Sequence, residues 1–410
     1  MSMRMQIVEN RYRKFYLLLL IFVIVSACVM PFNPELSKSD LKKQLVVEGR
    51  VTDEIGPFRV RLTQSDHVYN YQNLYNFAPV PDAFVDISDQ SGNVYNLNYT
   101  DNGWYETEDK NLRGIIGNTY ILHVNVNDGS QYESTPQQIS EVADIDSVYH
   151  EEEDRTQITG KDVSIEKWLT VYLNTHAPSD STHYFKWEFD ETWEFNMPVR
   201  IDVVKYVFPP DCGGCKLDSM YSILVDVINE KSHCWVTEAS KSILVKSTAS
   251  SNVGEIEKFP VTSIGPGDDR LSIRYSILIK QYSLNREIFN FFKLLRDLNE
   301  NNGSMYDKNP SPVNGNISCC DNGKIALGYF LASAVKSKRI FINNSEVHVV
   351  TGHNAYSACG WVYPPLQVME YYPFGTIGSL VKDHGDTIWT GSKYCSDCRV
   401  RGTSVKPDFW

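Results

Sequence analysis

The sequence predicts an all-β protein made of two antiparallel β-sandwich domains, with one helical insertion in the second domain. Short segments alternate apolar and polar residues, as in Phe58–Gln64, where Phe58, Val60 and Leu62 alternate with charged or polar neighbours. Turn signals separate these segments, and Asp128-Gly129 suits the two-residue turn of a hairpin. Only one stretch of the chain shows the period of a helix.

Residues 1–27 have the pattern of a lipoprotein signal peptide. Basic residues dominate the start, and the apolar run Phe15–Val25 is shorter than the about 20 residues that a membrane span needs. Val25-Ser26-Ala27-Cys28 matches a lipobox, so we expect cleavage before Cys28 and lipidation of its thiol, for example with palmitate. An uncleaved signal anchor with a chance cysteine is the alternative. Residues 28–43 then form a polar tether.

The acidic composition narrows the choice of partners. A net charge of −12 at pH 7 argues against nucleic acid and against electrostatic binding to an anionic membrane surface. Membrane association therefore depends on the lipid anchor. The 24 tyrosines and 8 tryptophans are typical of strand-rich extracellular domains that bind ligands.

The strand signals form two groups, and the polar, acidic stretch 135–162 separates them. Residues 44–138 hold about seven short strands and predict the N-terminal sandwich. The segments VEGRVTD, PVPDAFVDISDQSGN and TDNGWYE resemble carboxypeptidase-regulatory-like and transthyretin-like modules. That resemblance implies an immunoglobulin-like sandwich without catalysis of its own. Residues 139–410 form the predicted C-terminal β-rich domain.

The helical insertion is predicted near residues 284–301. Ser283 and Gly303 have the residue types of an N-cap and a stop. We interpret the segment as a helix that covers one side of the second sandwich; a helix that binds a partner is the alternative. Its apolar face consists of Ile288, Phe291, Phe292, Leu295 and Leu298.

The cysteines favour a disulfide framework. The chain has nine cysteines, and if Cys28 carries lipid, an even number remains, as is typical of exported proteins with disulfides. Two C-x-x-C pairs also fit a zinc site or a redox centre, so these alternatives stay open, and the spacing leaves the pairing open. The disulfide candidates are Cys212, Cys215, Cys234, Cys319, Cys320, Cys359, Cys395 and Cys398.

The chain lacks the usual motifs of catalytic and metal sites. Signatures of zinc proteases, serine hydrolases, P-loop enzymes and EF-hands are absent. His348 and His353 have a spacing that suits neither a helix face nor one strand face. Glu188 and Asp190 could mimic a glycosidase pair but are expected on the solvated face of a strand. We therefore expect no enzyme, no metal and no cofactor.

Two aromatic stretches are candidate binding surfaces. In SDHVYNYQNLYNFAP, Tyr69, Tyr71, Tyr75 and Phe77 are interspersed with asparagine and glutamine, a combination found in antibody paratopes. We predict these four residues as ligand contacts; a loop folded over its own sandwich is the alternative. Residues 351–375, rich in aromatic residues and proline, are a second candidate.

Stretches spread over most of the chain resemble the domain-of-unknown-function family 4249. They are LVVEGRVTDEIGPFRVRLTQS, FKWEFDETWEF, YSILIKQYSLNREIFNFFKLL, GSMYDKNPSPVNGNIS and CSDCRVRGTSVKPDFW, in that order. The resemblance implies an outer-membrane lipoprotein of Bacteroidetes-type bacteria, often encoded beside TonB-dependent receptors, and it brings no catalytic residues. The acidic cluster that surface-displayed members carry after the lipidated cysteine is reduced to Glu35. Display on the periplasmic or on the outer face stays open.

The lipobox predicts a lipid-anchored protein, and the family resemblance implies an outer-membrane protein that acts as a binding or accessory subunit of a TonB-dependent nutrient uptake system. The expected partners are the membrane and a β-barrel receptor, together with a nutrient of unknown identity. A secreted hydrolase of glycans or peptides is one alternative, and it requires two carboxyls or a Cys/His pair in one cleft. A structural or adhesive envelope lipoprotein is the other.

Overall fold

The structure is a computed structural model, and it shows a mainly β-stranded chain. It describes residues 44–65, 78–160, 162–178, 183–197, 202–207, 221–227, 233–250, 254–300, 313, 315–320, 326–351, 380–383, 387–390 and 397–410. This part of the chain contains one α-helix, Arg286–Glu300.

The strands in chain order are β1 (Leu45–Thr52), β2 (Arg59–Gln64), β3 (Ala78–Pro79), β4 (Ala83–Asp89), β5 (Val94–Tyr99), β6 (Trp104–Thr107), β7 (Thr119–Val126), β8 (Gln131–Ser134), β9 (Gln137–Gln138), β10 (Ile145–Thr159), β11 (Asp162–His176), β12 (Tyr184–Asn196), β13 (Asp202–Val207), β14 (Tyr221–Val227), β15 (His233–Ala239), β16 (Leu244–Ser247), β17 (Glu255–Ile264), β18 (Arg274–Leu284), β19 (Ile317–Cys319), β20 (Ala326–Ser333), β21 (Val335–Asn343), β22 (Leu380–Asp383) and β23 (Thr387–Thr390). These strands confirm the all-β prediction.

The first sheet contains eleven strands. Their order is β19-β8-β7-β4-β5-β6-β2-β1-β20, with β3 beside β2 and β9 beside β7. Adjacent strands in this sheet run antiparallel, except β1 and β20, which run parallel. Val47, Val60 and Leu62 are fully buried in its core, because alternate side chains of a strand lie on one face.

The two ends of this sheet meet at Asn316. Its side-chain amide donates to the carbonyl oxygen of Phe330 at 2.9 Å and accepts from the N–H of Phe330 at 2.8 Å. Only glycine fits beside this contact, since a Cβ on Gly315 would lie 1.5 Å from the carbonyl oxygen of Gly328. Both β19 and β20 follow residue 139 in the chain. Segments from the predicted C-terminal domain therefore complete the N-terminal sheet.

The second sheet has the order β10-β11-β17 and is dominated by a long hairpin. β10 and β11 pair antiparallel from Ile145 opposite Thr175 to Thr159 opposite Asp162. β17 pairs with β11 only over Leu169–His176. The residues of β11 before Leu169, which lie next to the hairpin turn, therefore extend past the end of β17.

The third sheet contains several large aromatic residues with buried side chains. β15 and β16 both pair with β12, which is followed by β18 and β21. Phe185, Trp187 and Phe189 on β12 are buried, as their alternation predicts. The Trp187 indole N–H donates to Oε1 of Gln281 at 2.7 Å, which satisfies this buried donor.

The predicted helix is confirmed as Arg286–Glu300 and covers part of the third sheet. Ile288, Phe291 and Phe292 are buried on its inner face. The N-cap prediction was wrong. Asn285 accepts the N–H of Ile288 at 2.9 Å, whereas Ser283 lies in β18 and donates to the carbonyl oxygen of Ser140.

A fourth sheet has the order β14-β13-β22-β23. The C-terminal tail is attached to the third sheet, where Trp235 and Thr403 exchange backbone hydrogen bonds of 2.9 Å. The Trp410 indole N–H donates to Oε2 of Glu194 at 3.2 Å. Within the described ranges, no helix has the length and apolar character needed to cross a membrane.

Candidate functional site

A groove opens where β17 ends and β11 continues. After β17 the loop Gly265–Asp268 leaves the second sheet beside Trp168. The groove has a volume of about 540 Å³, within the range of sites for small-molecule ligands. Its walls include Glu166, Trp168, Ser263, Gly265, Asp268 and Arg270.

Trp168 forms the apolar wall of the groove. The guanidinium carbon of Arg155 lies 4.8 Å from the centroid of the indole. Arg155 is held in place because Nη2 donates to the hydroxyls of Thr170 at 2.9 Å and Ser263 at 3.1 Å. A Cβ on Gly265 would lie only 2.7 Å from Cη2 of Trp168, so glycine lets the loop pack against the ring.

Arg270 forms the polar wall. Its Nε and Nη2 donate to Oδ2 of Asp268 at 3.0 and 2.7 Å, and its Nη1 donates to Oε1 of Glu191 at 2.8 Å. The Tyr275 hydroxyl donates to the same Glu191 oxygen at 2.6 Å. Burial alone would lower the pKa of Arg270, but the hydrogen bond to Asp268 and the charge of Glu191 raise it. Burial also raises the pKa of Tyr275, so this hydroxyl stays a neutral donor.

The chemistry of the groove suits binding more than proton transfer. Of the five N–H groups of Arg270, three make the hydrogen bonds just described, so two are left for a ligand. Arg401 from the C-terminal tail binds Asp269 at 2.7 Å, so Asp268 and Asp269 each form an ion pair with an arginine. Glu166 and Ser263 add oxygen atoms beside the indole. A small polar solute with one apolar face fits these walls.

A second polar cluster links β1, β12 and β18 around Glu188. Its carboxylate binds Nη1 of Arg50 at 2.9 Å, Nζ of Lys186, and the hydroxyl of Tyr282 at 3.1 Å. Burial alone would raise the pKa of Glu188, but the charges of Lys186 and Arg50 lower it from 4.5 to about 2. Burial raises the pKa of Tyr282 and of Tyr329.

The helix covers this cluster. Lys186 is only 7% exposed, and its ammonium lies 4.7 Å from the centroid of the Phe292 ring. Burial lowers the pKa of Lys186, although the charge of Glu188 opposes that change. The cavity beside Arg50 and Tyr282 has a volume of only about 150 Å³. Because its charges bind one another, the cluster acts as a joint between the first and third sheets.

Most of the predicted site residues lie outside the described part of the chain. This holds for the lipidation site, the aromatic loop and half of the disulfide candidates. It also holds for residues 352–375 of the second aromatic stretch and for His353. The residues concerned are Cys28, Tyr69, Tyr71, Tyr75, Phe77, Cys212, Cys215, Cys359 and Cys395.

Of the four disulfide candidates in the described part, two are joined. Cys234 on β15 and Cys398 form a disulfide with a Cα–Cα distance of 5.7 Å, and it attaches the C-terminal tail to the third sheet. Cys319 and Cys320 carry no disulfide, and Cys320 is exposed.

The histidine and carboxylate pairs considered in the sequence can be compared with the structure where they are described. His348 Nδ1 lies 3.2 Å from Glu152, and the described residues contain no group of three or more His, Cys, Asp or Glu that could hold a metal ion. Glu188 and Asp190 lie on one face of β12, as expected. This face is less solvated than predicted, because the helix covers Lys186 beside Glu188.

Sequence reasoning missed Trp168 and Arg270. Trp168 follows the alternation of a strand, and nothing local indicates that the neighbouring strand stops beside it. The stretch GPGDDR after β17 does carry a signal, because two glycines and a proline followed by charged residues predict a loop. That loop places Arg270 in the groove.

A comparison with protein-family models finds a match over residues 29–339, described as a domain of unknown function, DUF4249. This range is more than half of the chain. The chain belongs to the DUF4249 family. The matched range includes the groove residues Glu166, Trp168 and Arg270, so the groove is built within the DUF4249 region. A search of curated proteins finds no match.

Proposed function

We propose that this DUF4249 protein is a lipid-anchored protein of the outer membrane and a binding or accessory subunit of a TonB-dependent nutrient uptake system. The lipobox Val25-Ser26-Ala27-Cys28 carries the membrane-anchored part of this proposal, because it supplies both export and an anchor. The acidic composition supports it, since electrostatic attraction to the membrane offers no alternative anchor.

The groove gives the proposed subunit a place to hold a solute. Trp168 offers apolar area and Arg270 offers N–H donors, and both residues line a cavity of about 540 Å³. Paired arginines and carboxylates keep these donors in fixed positions, which lowers the entropy cost of binding. Binding and transfer to a receptor, rather than catalysis, is the role that this chemistry supports.

The anchor is tested by labelling cells with palmitate. Cys28→Ala should abolish labelling and release the protein from membranes, because the thiol that accepts the lipid is gone. Cys320→Ala is the matched control, since Cys320 is exposed and carries no disulfide, and it should label like the wild type. Unchanged membrane retention of Cys28→Ala would overturn the anchor.

The receptor partnership is tested by purifying the detergent-solubilised protein from the cells that produce it. We expect a β-barrel receptor to co-purify under growth conditions in which the protein is abundant. Trp168→Ala should retain the receptor while slowing growth on the limiting nutrient. If no barrel is recovered under any growth condition, the accessory role is wrong, and an adhesive or structural role gains support.

A further inference from the structure

The outer half of the β10–β11 hairpin has an open edge. β17 pairs with β11 only from Leu169 onward, and no described strand pairs with Asp162–Trp168 on the side opposite β10. A two-stranded ribbon is marginally stable alone, and an open apolar edge is a template for pairing with another strand. We therefore expect this edge of the hairpin to pair with another β-strand.

Side chains on one face of the ribbon strengthen this conclusion. Ile158 is 69% exposed, Val163 67% and Ile165 75%. Ile158 lies opposite Val163, and Ile165 follows two residues further along β11, so the three side chains share one face. They form a continuous aliphatic patch on this face.

The register of the hairpin decides which backbone groups are available. Thr159 lies opposite Asp162, with a two-residue connection between them, so these two residues form a hydrogen-bonded pair. By the alternation of an antiparallel ladder, the N–H and C=O groups of Val163, Ile165 and Lys167 point away from β10.

We propose that this edge pairs with the same edge of a second copy of the chain, antiparallel and with Ile165 opposite its counterpart. In this register Val163 lies opposite Lys167, so every outward N–H and C=O of these three residues finds a partner. Glu166 lies opposite Ser164, and no two like charges face one another. The sequence of the edge is therefore complementary to itself, as a two-fold interface requires.

The side chains fit the same arrangement. The aliphatic patches of the two copies become neighbours across the two-fold axis, where Ile165 of one copy lies beside Ile165 of the other. On the other face, Asp162 of the second copy lies opposite Trp168 and adds a wall to the groove. Pairing of seven-residue strands buries on the order of 1,000 Å², which places this dimer among weak, concentration-dependent complexes.

Sedimentation velocity of the full chain in detergent, over a concentration series that reaches high micromolar, tests the dimer and requires neither the lipid anchor nor a receptor. Ile165→Lys should raise the dissociation constant at least about tenfold, because two ammonium groups then meet on the axis. Phe84→Lys is the matched control: Phe84 is 75% exposed on β4, and its replacement introduces the same charge. It should dimerise like the wild type.

A second variant separates strand pairing from simple apolar contact. Ile165→Pro keeps an apolar side chain and removes an N–H that points away from β10, so the hairpin keeps its own hydrogen bonds while the edge loses a donor. It should also weaken the dimer, with an unchanged thermal melt. A wild-type chain that stays monomeric throughout the series would overturn the proposal. So would a dimer unchanged by either substitution at Ile165, or one weakened equally by Phe84→Lys.

Discussion

Replacing Glu188 by glutamine should weaken the joint between the first and third sheets. The pKa of Glu188 falls from 4.5 to about 2 in the folded protein, and a fall of that size corresponds to roughly 3 kcal/mol. Because 33% of the side chain is exposed, solvent screening reduces this to roughly 1–2 kcal/mol. The loss also leaves the ammonium of Lys186 buried without its carboxylate, which adds to the cost.

The lowered pKa of Glu188 also predicts how the free energy of unfolding changes with pH. A lowered pKa means that the stabilisation is fully present above pH 4.5 and is lost as the pH falls toward 2. Urea unfolding of the wild type and of Glu188→Gln should therefore differ most near neutral pH and converge in that acidic window. Glu238→Gln, at an exposed glutamate on neighbouring β15, is the control and should leave the free energy of unfolding unchanged at neutral pH. Equal stabilities of Glu188→Gln and the wild type at pH 7 would refute the reasoning.

Three further substitutions test other parts of the fold. Cys398→Ser opens a disulfide that spans 164 residues; chain entropy sets an upper limit of roughly 5 kcal/mol, and a lower urea midpoint should show the loss. Gly265→Ala places a Cβ 2.7 Å from the indole of Trp168; we expect a change in tryptophan fluorescence and a cost of roughly 1–3 kcal/mol, whereas Gly56→Ala, where a Cβ meets nothing within 4 Å, should change neither. Asn316→Ala leaves a buried N–H and a buried C=O unpaired, at roughly 1–3 kcal/mol each; faster hydrogen exchange of the amide at Phe330 would reveal it, and unchanged exchange would contradict the closure of the first sheet.

The local parts of the fold could be predicted because they depend on periods within one segment. The alternation of Phe58, Val60 and Leu62 gave a strand with the correct buried face, and the helical period gave the helix Arg286–Glu300. The N-cap was missed by two residues, because the strand before the helix extends through Ser283. Boundaries of this kind depend on pairing with neighbouring strands, which the local sequence does not contain.

The non-local parts could not be predicted for the same reason. Parallel pairing of β20 with β1 joins residues almost three hundred positions apart, and pairings over such distances leave no local pattern. The bond between Cys234 and Cys398 is one of the many pairings that the spacing allowed. Burial of Lys186 likewise depends on the helix that packs over it. The sequence of β12 alone therefore predicted a solvated face.

The early end of β17 accounts for both the groove and the open edge. Gly265 takes the chain out of the sheet beside Trp168, and from that point β11 continues with only β10 at its side. If β17 continued in register, its backbone would satisfy the outward N–H groups of Val163, Ile165 and Lys167. A second copy that pairs with this edge takes the position that β17 leaves, and it brings its own Asp162 to the groove. Solute binding at Trp168 and pairing at Ile165 should therefore influence one another, since each site forms part of the other's surroundings.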